Sequence, residues 1–238
     1  MTRSVFAHSR NCLFLSLKVA SLLLVCSVGP VAGEGDVENL IHRMETAYAA
    51  VDDYQAMTTV QMFKSDGTVE IQKFLYSFKK PNRVRMDFQT PHAGSVLCYP
   101  DDEGKVKVRL AGIAGIFPLH LSLDNPRIVS SGQRIDQTDL GLLIANIVRS
   151  VTEDRKGPVS VTEEGGLVHL EVLAPDHFLK DVTTLYRFSI DKALSLPVGV
   201  EDLAPGGFSR RIVTFKNLMT NRGLSDRFMA GDRKERAP

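Results

Sequence analysis

The chain has too few cysteines for a disulfide framework. Of its three, Cys12 and Cys26 sit in an N-terminal segment that reads as removable. Cys98 is then left alone, and one thiol makes no intramolecular disulfide. It lies in the apolar stretch 95–99 and reads as a buried, inert side chain. The chain also lacks charge of one sign, with 29 Lys and Arg against 28 Asp and Glu. Taking Arg3, Arg10 and Lys18 away with the N-terminal segment leaves 26 against 28. So balanced a surface has no electrostatic footprint for nucleic acid, and no nucleic-acid partner is expected.

Catalytic signatures are missing too. No Gly-x-Ser-x-Gly elbow occurs, which removes the usual foothold for a serine hydrolase. Gly112 and Gly115 belong to no phosphate loop, because the Lys-Ser/Thr that gives such loops their chemistry is absent. Of His42, His92, His120, His169 and His177, only His169 shares a strand face with an acid, Glu171, and no third ligand is spaced to complete a zinc set. The acidic pairs Asp52-Asp53 and Glu163-Glu164 fall at element ends and read as solvated turns. These absences predict a protein that is not an enzyme and has neither cofactor nor metal.

What is present begins with an export pattern. Arg3, Arg10 and Lys18 precede the apolar run 19–28, and Gly29, Pro30, Val31 and Gly33 follow it. Basic start, short apolar core and small residues are the order of a cleaved signal peptide. The apolar run is shorter than the ~20 residues a spanning helix needs, so an N-terminal anchor is the weaker reading. Lipidation at Cys26 is disfavoured, because Val25 stands where a small residue is needed. The expected division is a signal at 1–33, one domain at 34–230 and a disordered, apolar-poor tail at 231–238. The expected location is the periplasm, and the expected state a monomer.

Past the signal, Asp36 reads as the cap of a helix whose apolar residues Val37, Leu40, Ile41, Met44, Ala47, Tyr48 and Val51 recur at three and four. The period then becomes two. Strands are predicted from about Met57 to Phe63, at 68–78, 83–88, 95–99, 105–110, 159–161, 167–173, 182–190, 196–203 and 208–215. Ser65-Asp66-Gly67 and Ala204-Pro205-Gly206-Gly207 mark hairpins. The strand at 182–190 carries apolar residues on both faces and is expected to be the longest and near the sheet centre. A second helix is predicted at 139–149 with Thr138 as its cap. Many short strands with two helices predict an α+β, mostly β fold, in which a curled antiparallel sheet forms an incomplete barrel around the helices. The segment 113–123 (with Ile113, Ile116, Phe117, Leu119, Leu121 and Leu123) is apolar without either period. It reads as a lid hinged at Gly112 and Gly115, because so apolar a stretch must cover something.

Several stretches resemble the outer-membrane lipoprotein-sorting superfamily of LolA and LolB. They are Tyr76-Ser-Phe-Lys-Lys-Pro-Asn-Arg-Val-Arg-Met-Asp-Phe88 with Pro91 and Gly94, then Tyr186-Arg-Phe-Ser-Ile-Asp191, Leu196-Pro197, and 211–217 with Asn221-Arg-Gly-Leu224. The segment Gln133-Arg-Ile-Asp-Gln-Thr-Asp-Leu-Gly141 looks more like a related group of exported proteins. The resemblance implies a half-barrel whose concave face accepts acyl chains of lipoproteins or other lipids, with an envelope membrane protein as a further partner. On it, Phe74, Tyr76, Phe78, Val84, Met86, Phe88, Tyr186 and Phe188 would line the cavity. Lys80 stands where the carrier has an arginine that holds the lid, and Val84 where the family has an aromatic. Lysine lacks arginine's planar fork, so Lys80 is a departure from the carrier's latch. Arg83 and Arg85, opposite the apolar face of their strand, read as a polar rim or a solvated surface. Two functions compete: a periplasmic carrier or chaperone without covalent chemistry, and an exported interaction or envelope-sensing module on the same fold with its core filled.

Overall fold

The computed structural model describes residues 34–112, 117–128, 133–204 and 206–232. The expected signal peptide at 1–33, the lid residues Ile113 and Ile116, and 233–238 lie outside these.

One antiparallel sheet of eleven strands organises the molecule. Its order is β6-β5-β4-β3-β2-β1-β11-β10-β9-β8-β7. The strands are β1 (Asp53–Phe63), β2 (Val69–Lys79), β3 (Arg83–Thr90), β4 (Val96–Tyr99), β5 (Val106–Arg109), β6 (Leu119–Leu121), β7 (Ser160–Glu164), β8 (Leu167–Pro175), β9 (Thr183–Asp191), β10 (Leu196–Leu203) and β11 (Ser209–Thr220). The end strands β6 and β7 do not pair, so the sheet is an incomplete barrel. Each half is a meander of hairpins, and the chain's first and last strands, β1 and β11, join the halves at the centre.

Among the described residues there are three α-helices: α1 (Glu34–Ala49), α2 (Leu140–Thr152) and the short α3 (Asp226–Met229). The alternation that predicts the strands also decides what they bury. Tyr54 and Ala56 of β1, Phe74, Tyr76 and Phe78 of β2, Val84 and Met86 of β3, and Tyr186, Phe188 and Ile190 of β9 form one core with Val37, Leu40, Ile41 and Met44 of α1 and with Leu140, Ile144 and Ile147 of α2.

Several boundaries differ from the sequence reading. Asp36 is not a cap, since α1 is already helical at Glu34. The cap of α2 is Asp139, not Thr138: its carboxylate accepts from Gly141 N and Leu142 N at 2.7 and 3.1 Å. Thr138 instead donates to Ile135 O and bonds the Tyr76 hydroxyl. The strand at the centre is β1, while β9 lies third from the β7 edge and is shorter than β11. It is buried because helices and neighbouring strands cover it, not because of its rank in the sheet.

Asp53, expected in a solvated turn, is buried. Its carboxylate accepts the amides of Arg222 and Leu224 at 2.6 and 2.8 Å. Asn221 completes the clamp by accepting from Asp52 N and donating to Ala50 O. This steers the chain after β11 across the outer face of β2 and β3, where α3 packs. Arg85, expected on a solvated rim, is buried beneath that strap. It pairs with Asp87 at 2.7 Å, donates to Phe228 O at 2.7 Å and lies 4.1 Å over the Phe228 ring. Lys107 and Arg109 hold the carbonyls of Ala230 and Gly231. Gly231, assigned to the tail from sequence, is buried against Cys98, whose sulfur lies 2.8 Å from where a Cβ would stand. Burial pushes the Cys98 thiol up to about 11.

Candidate functional site

Sequence alternation sends the even-numbered residues of β1 and β2 and the odd-numbered residues of β11 to the concave face. There they meet α2 and the 3-10 turn Ile135–Gln137. Between these layers lies a cavity of about 130 Å3. Phe74, Tyr76, Met86 and Phe88 line it, as do Val60, Leu97, Val213 and Phe215. Phe78, Val84, Tyr186 and Phe188 also face inward but pack in the core away from it. The aromatic rings are in contact: Tyr54 stacks on Tyr76 and Phe78 at 5.8 and 5.2 Å, and Phe74 meets Phe88 at 5.3 Å.

Of the expected lid, Phe117, Leu119 and Leu121 are described and do not line the cavity. Leu119 and Leu121 belong to β6, opposite Val108 and Val106 at the sheet edge. Phe117 is 79 % exposed. Among the described residues, Ile128, Ile135, Leu142, Leu143 and Phe178 cover the cavity. Sequence reasoning did not assign these to a site. The available signal was Leu142 and Leu143, which widen the apolar stripe of α2 beyond what one buried face needs, and Ile135, an apolar residue in an otherwise polar stretch.

Tyrosines fix the roof. The Tyr54 hydroxyl accepts from Leu140 N at 2.8 Å, Tyr48 donates to Asp139 at 3.2 Å, and Tyr76 bonds Thr138 at 2.9 Å. Burial, with the Asp139 charge as a lesser cause for each, holds all three phenols well above their ordinary value. They therefore act as neutral hydrogen-bonding groups.

Lys80 does hold a helix, although without a fork. Its ammonium donates to Tyr48 O and Ala49 O at 2.9 and 3.2 Å and lies 4.7 Å over the Tyr48 ring. A point charge suits the clustered carbonyls at a helix C-terminus, where the helix dipole is negative. Arg83 is half-exposed and sits 3.6 Å from Asp226.

Gln133, His177 and Arg211 line one end of the cavity, and Gln72, Gln137, Asp139 and Asn146 are further polar residues in its wall. Asp202 opposes Arg211 and Leu203 opposes Ser209, so Arg210 is an extra residue in β11. Such a bulge re-aims side chains. Here Arg211 reaches Asp202 at 2.8 Å and Arg210 reaches Asp176 at 2.6 Å and the Thr184 hydroxyl. Burial favours a neutral Asp176, but the Thr184 hydroxyl, the amides of Phe178 and Leu179, and Arg210 outweigh it and hold the carboxyl low. For Asp202 burial wins, and its carboxyl is pushed up despite Arg211.

His177 bonds Ser150 at 2.7 Å and stacks on Tyr186 at 4.3 Å. This pair is no hydrolytic dyad. Ser150 is 1 % exposed and sits within α2, and the Asp176 carboxylate bonds elsewhere. Burial, then the nearby Arg149 charge, lowers the imidazole to about 4. It is neutral at ordinary pH. Among the described residues no cluster of three or more metal-ligating side chains occurs.

No protein-family profile and no curated protein matches the sequence. Solved structures do. MucB is 13 % identical over 84 % of this chain, with a TM-score of 0.50, and the chain spans 64 % of the length of MucB. Pseudomonas aeruginosa MucB in complex with MucA matches at 14 % identity over 82 % of this chain and 60 % of that one, TM-score 0.44. A LolA superfamily protein from Nitrosomonas europaea matches at 11 % identity over 82 % of this chain and 98 % of its own, TM-score 0.38. At 13 % identity what is shared with MucB is the fold alone, here an open antiparallel sheet.

Proposed function

We propose that this protein is exported to the periplasm, loses its first 33 residues, and there carries an acyl chain of a lipid or lipoprotein in its half-barrel. No covalent step is involved. The observation that carries this reading is the cavity of about 130 Å3 between the concave sheet and α2. A cavity of that order accepts a benzene-sized guest against its apolar side chains. Each methylene that enters gains ~0.8 kcal/mol. A full chain is larger than the cavity, so loading must move the roof at Ile135, Leu142 and Phe178. The roof is held to the sheet by a few side-chain bonds, Tyr76 to Thr138 and Arg211 to Gln133 among them, and these exchange without breaking strand pairs. Among the described residues no helix is long and apolar enough to cross a membrane.

A second reading, an envelope interaction module, draws on the filled part of the concave face. There Tyr54, Phe78, Tyr186 and Phe188 are fully buried and leave no room. Titration of the mature chain with a fluorescent fatty acid separates the two. The carrier reading expects micromolar binding that Leu143→Phe, which fills the cavity, abolishes while melting stays cooperative. Absence of binding to the wild type would remove the carrier and leave the interaction module.

A further inference from the structure

Two charged side chains stand in the cavity wall, Asp139 and Arg211; Asp139 is taken up by the cap of α2 and by the Tyr48 hydroxyl, whereas Arg211 has donors to spare. Arg211 uses Nε on Asp202 Oδ2 and Nη1 on Gln133 Oε1. Its guanidinium lies 4.7 Å over the Phe178 ring, and its Nη2 has no hydrogen-bond partner among the described residues. A guanidinium has five N–H donors, and this one faces the cavity. Behind it, two buried polar atoms have no partner, Asp202 Oδ1 and Arg210 Nε. Asp202 itself is 5 % exposed. The Arg211–Asp202 pair is thus held by one hydrogen bond on a carboxylate that burial already disfavours, rather than by the two-armed contact such pairs adopt when they serve stability alone. The neighbouring imidazole of His177 is neutral and adds no charge.

The position fits a head group. Arg211 lies at the start of β11, next to the β10–β11 turn, so it stands at the cavity's end. By strand register Val213, then Phe74, then Met86 follow at increasing distance from Arg211 along the same wall. A tail laid along these side chains would place its head at the guanidinium. A cationic head would meet like charge there, and a neutral head would leave the free donor unmatched.

We propose that Arg211 is a head-group seat and that the cavity's ligand is an amphiphile with an anionic head, a carboxylate or a phosphate monoester. This rests on the carrier reading. Asp202 is the built-in competitor that holds Arg211 when the cavity is empty.

The test is calorimetric titration of the mature chain with three probes of equal tail: dodecanoate, dodecyl phosphate and the neutral monododecanoyl glycerol. Both anions are expected to bind about tenfold tighter than the neutral probe, as a charge-assisted contact requires. Tighter binding of only one of them assigns the head to carboxylate or to phosphate. Arg211→Met should equalise the three, with melting curves confirming that it folds. Asp202→Asn should tighten the anions alone, and decides the matter if Arg211→Met does not fold. Equal affinity for all three probes, unchanged in Asp202→Asn, overturns the seat and leaves the carrier standing. No binding of any probe overturns both.

Discussion

Tyr48 and Gly141 show how one residue choice sets the roof. A Cβ on Gly141 would lie 2.6–2.7 Å from the Tyr48 ring, and that ring's hydroxyl bonds the cap of α2. Alanine is the better helix former by ~1 kcal/mol, but overpacking costs ~1–3 kcal/mol. Gly141→Ala is expected to destabilise the protein in urea melts. In a Tyr48→Ala background the same substitution should stabilise it, since only the propensity gain remains. Loss of stability in both backgrounds would mean the ring contact is not the cause. His177 gives a second expectation at this scale. Its folded value, about 4, lies below the ordinary 6.5, so the unfolded chain binds the proton more readily. Stability is whole above about 6.5 and is lost as pH falls toward 4. Thermal melts across that window should show the decline, and His177→Gln should flatten it. Neither residue was legible as functional. Glycine within a helical pattern reads as a mere weakness, and a histidine without a ligand set carries no site.

At the scale of elements, period-two alternation located the strands because each has one face on the core. It could not rank them, and so β9 was placed at the centre. Alternation also fails where both faces are covered, which is why Arg85 read as solvent-facing. The strap over it is short: Leu224, Phe228 and Met229 make a cluster of three buried residues in a stretch with no usable period. Asp53 and Asn221 direct it, and those are polar residues whose partners lie about 170 positions away. The strap shields Cys98, whose raised thiol value further slows thiolate chemistry. The native protein should react slowly with a disulfide reagent at mild alkaline pH. Phe228→Ala, which removes the ring over Arg85, should speed that reaction while the far-ultraviolet spectrum is unchanged. An unaltered rate would show that the strap does not guard the thiol. The apolar segment read as a lid turned out to end in an edge strand from Leu119. Three residues at a sheet edge are too few to show alternation.

For the whole molecule, the open curled sheet and its inward helices were legible, with every strand but the edge strand β6, because strand spacing and helix number together leave no other cover for the concave face. Half of the expected lining residues meet at the cavity, and the others fill the core beside it. The difference is set by where α1 and α2 lie, and no strand pattern encodes that. Its most direct test is native mass spectrometry of the protein purified from the cell envelope without detergent exchange, followed by extraction of whatever is bound. The account predicts a chain beginning near Glu34 that carries one amphiphile with an acyl tail and an acidic head. A chain of unchanged mass from Met1, or a mature chain that is empty and takes up no such lipid when it is offered, would contradict it.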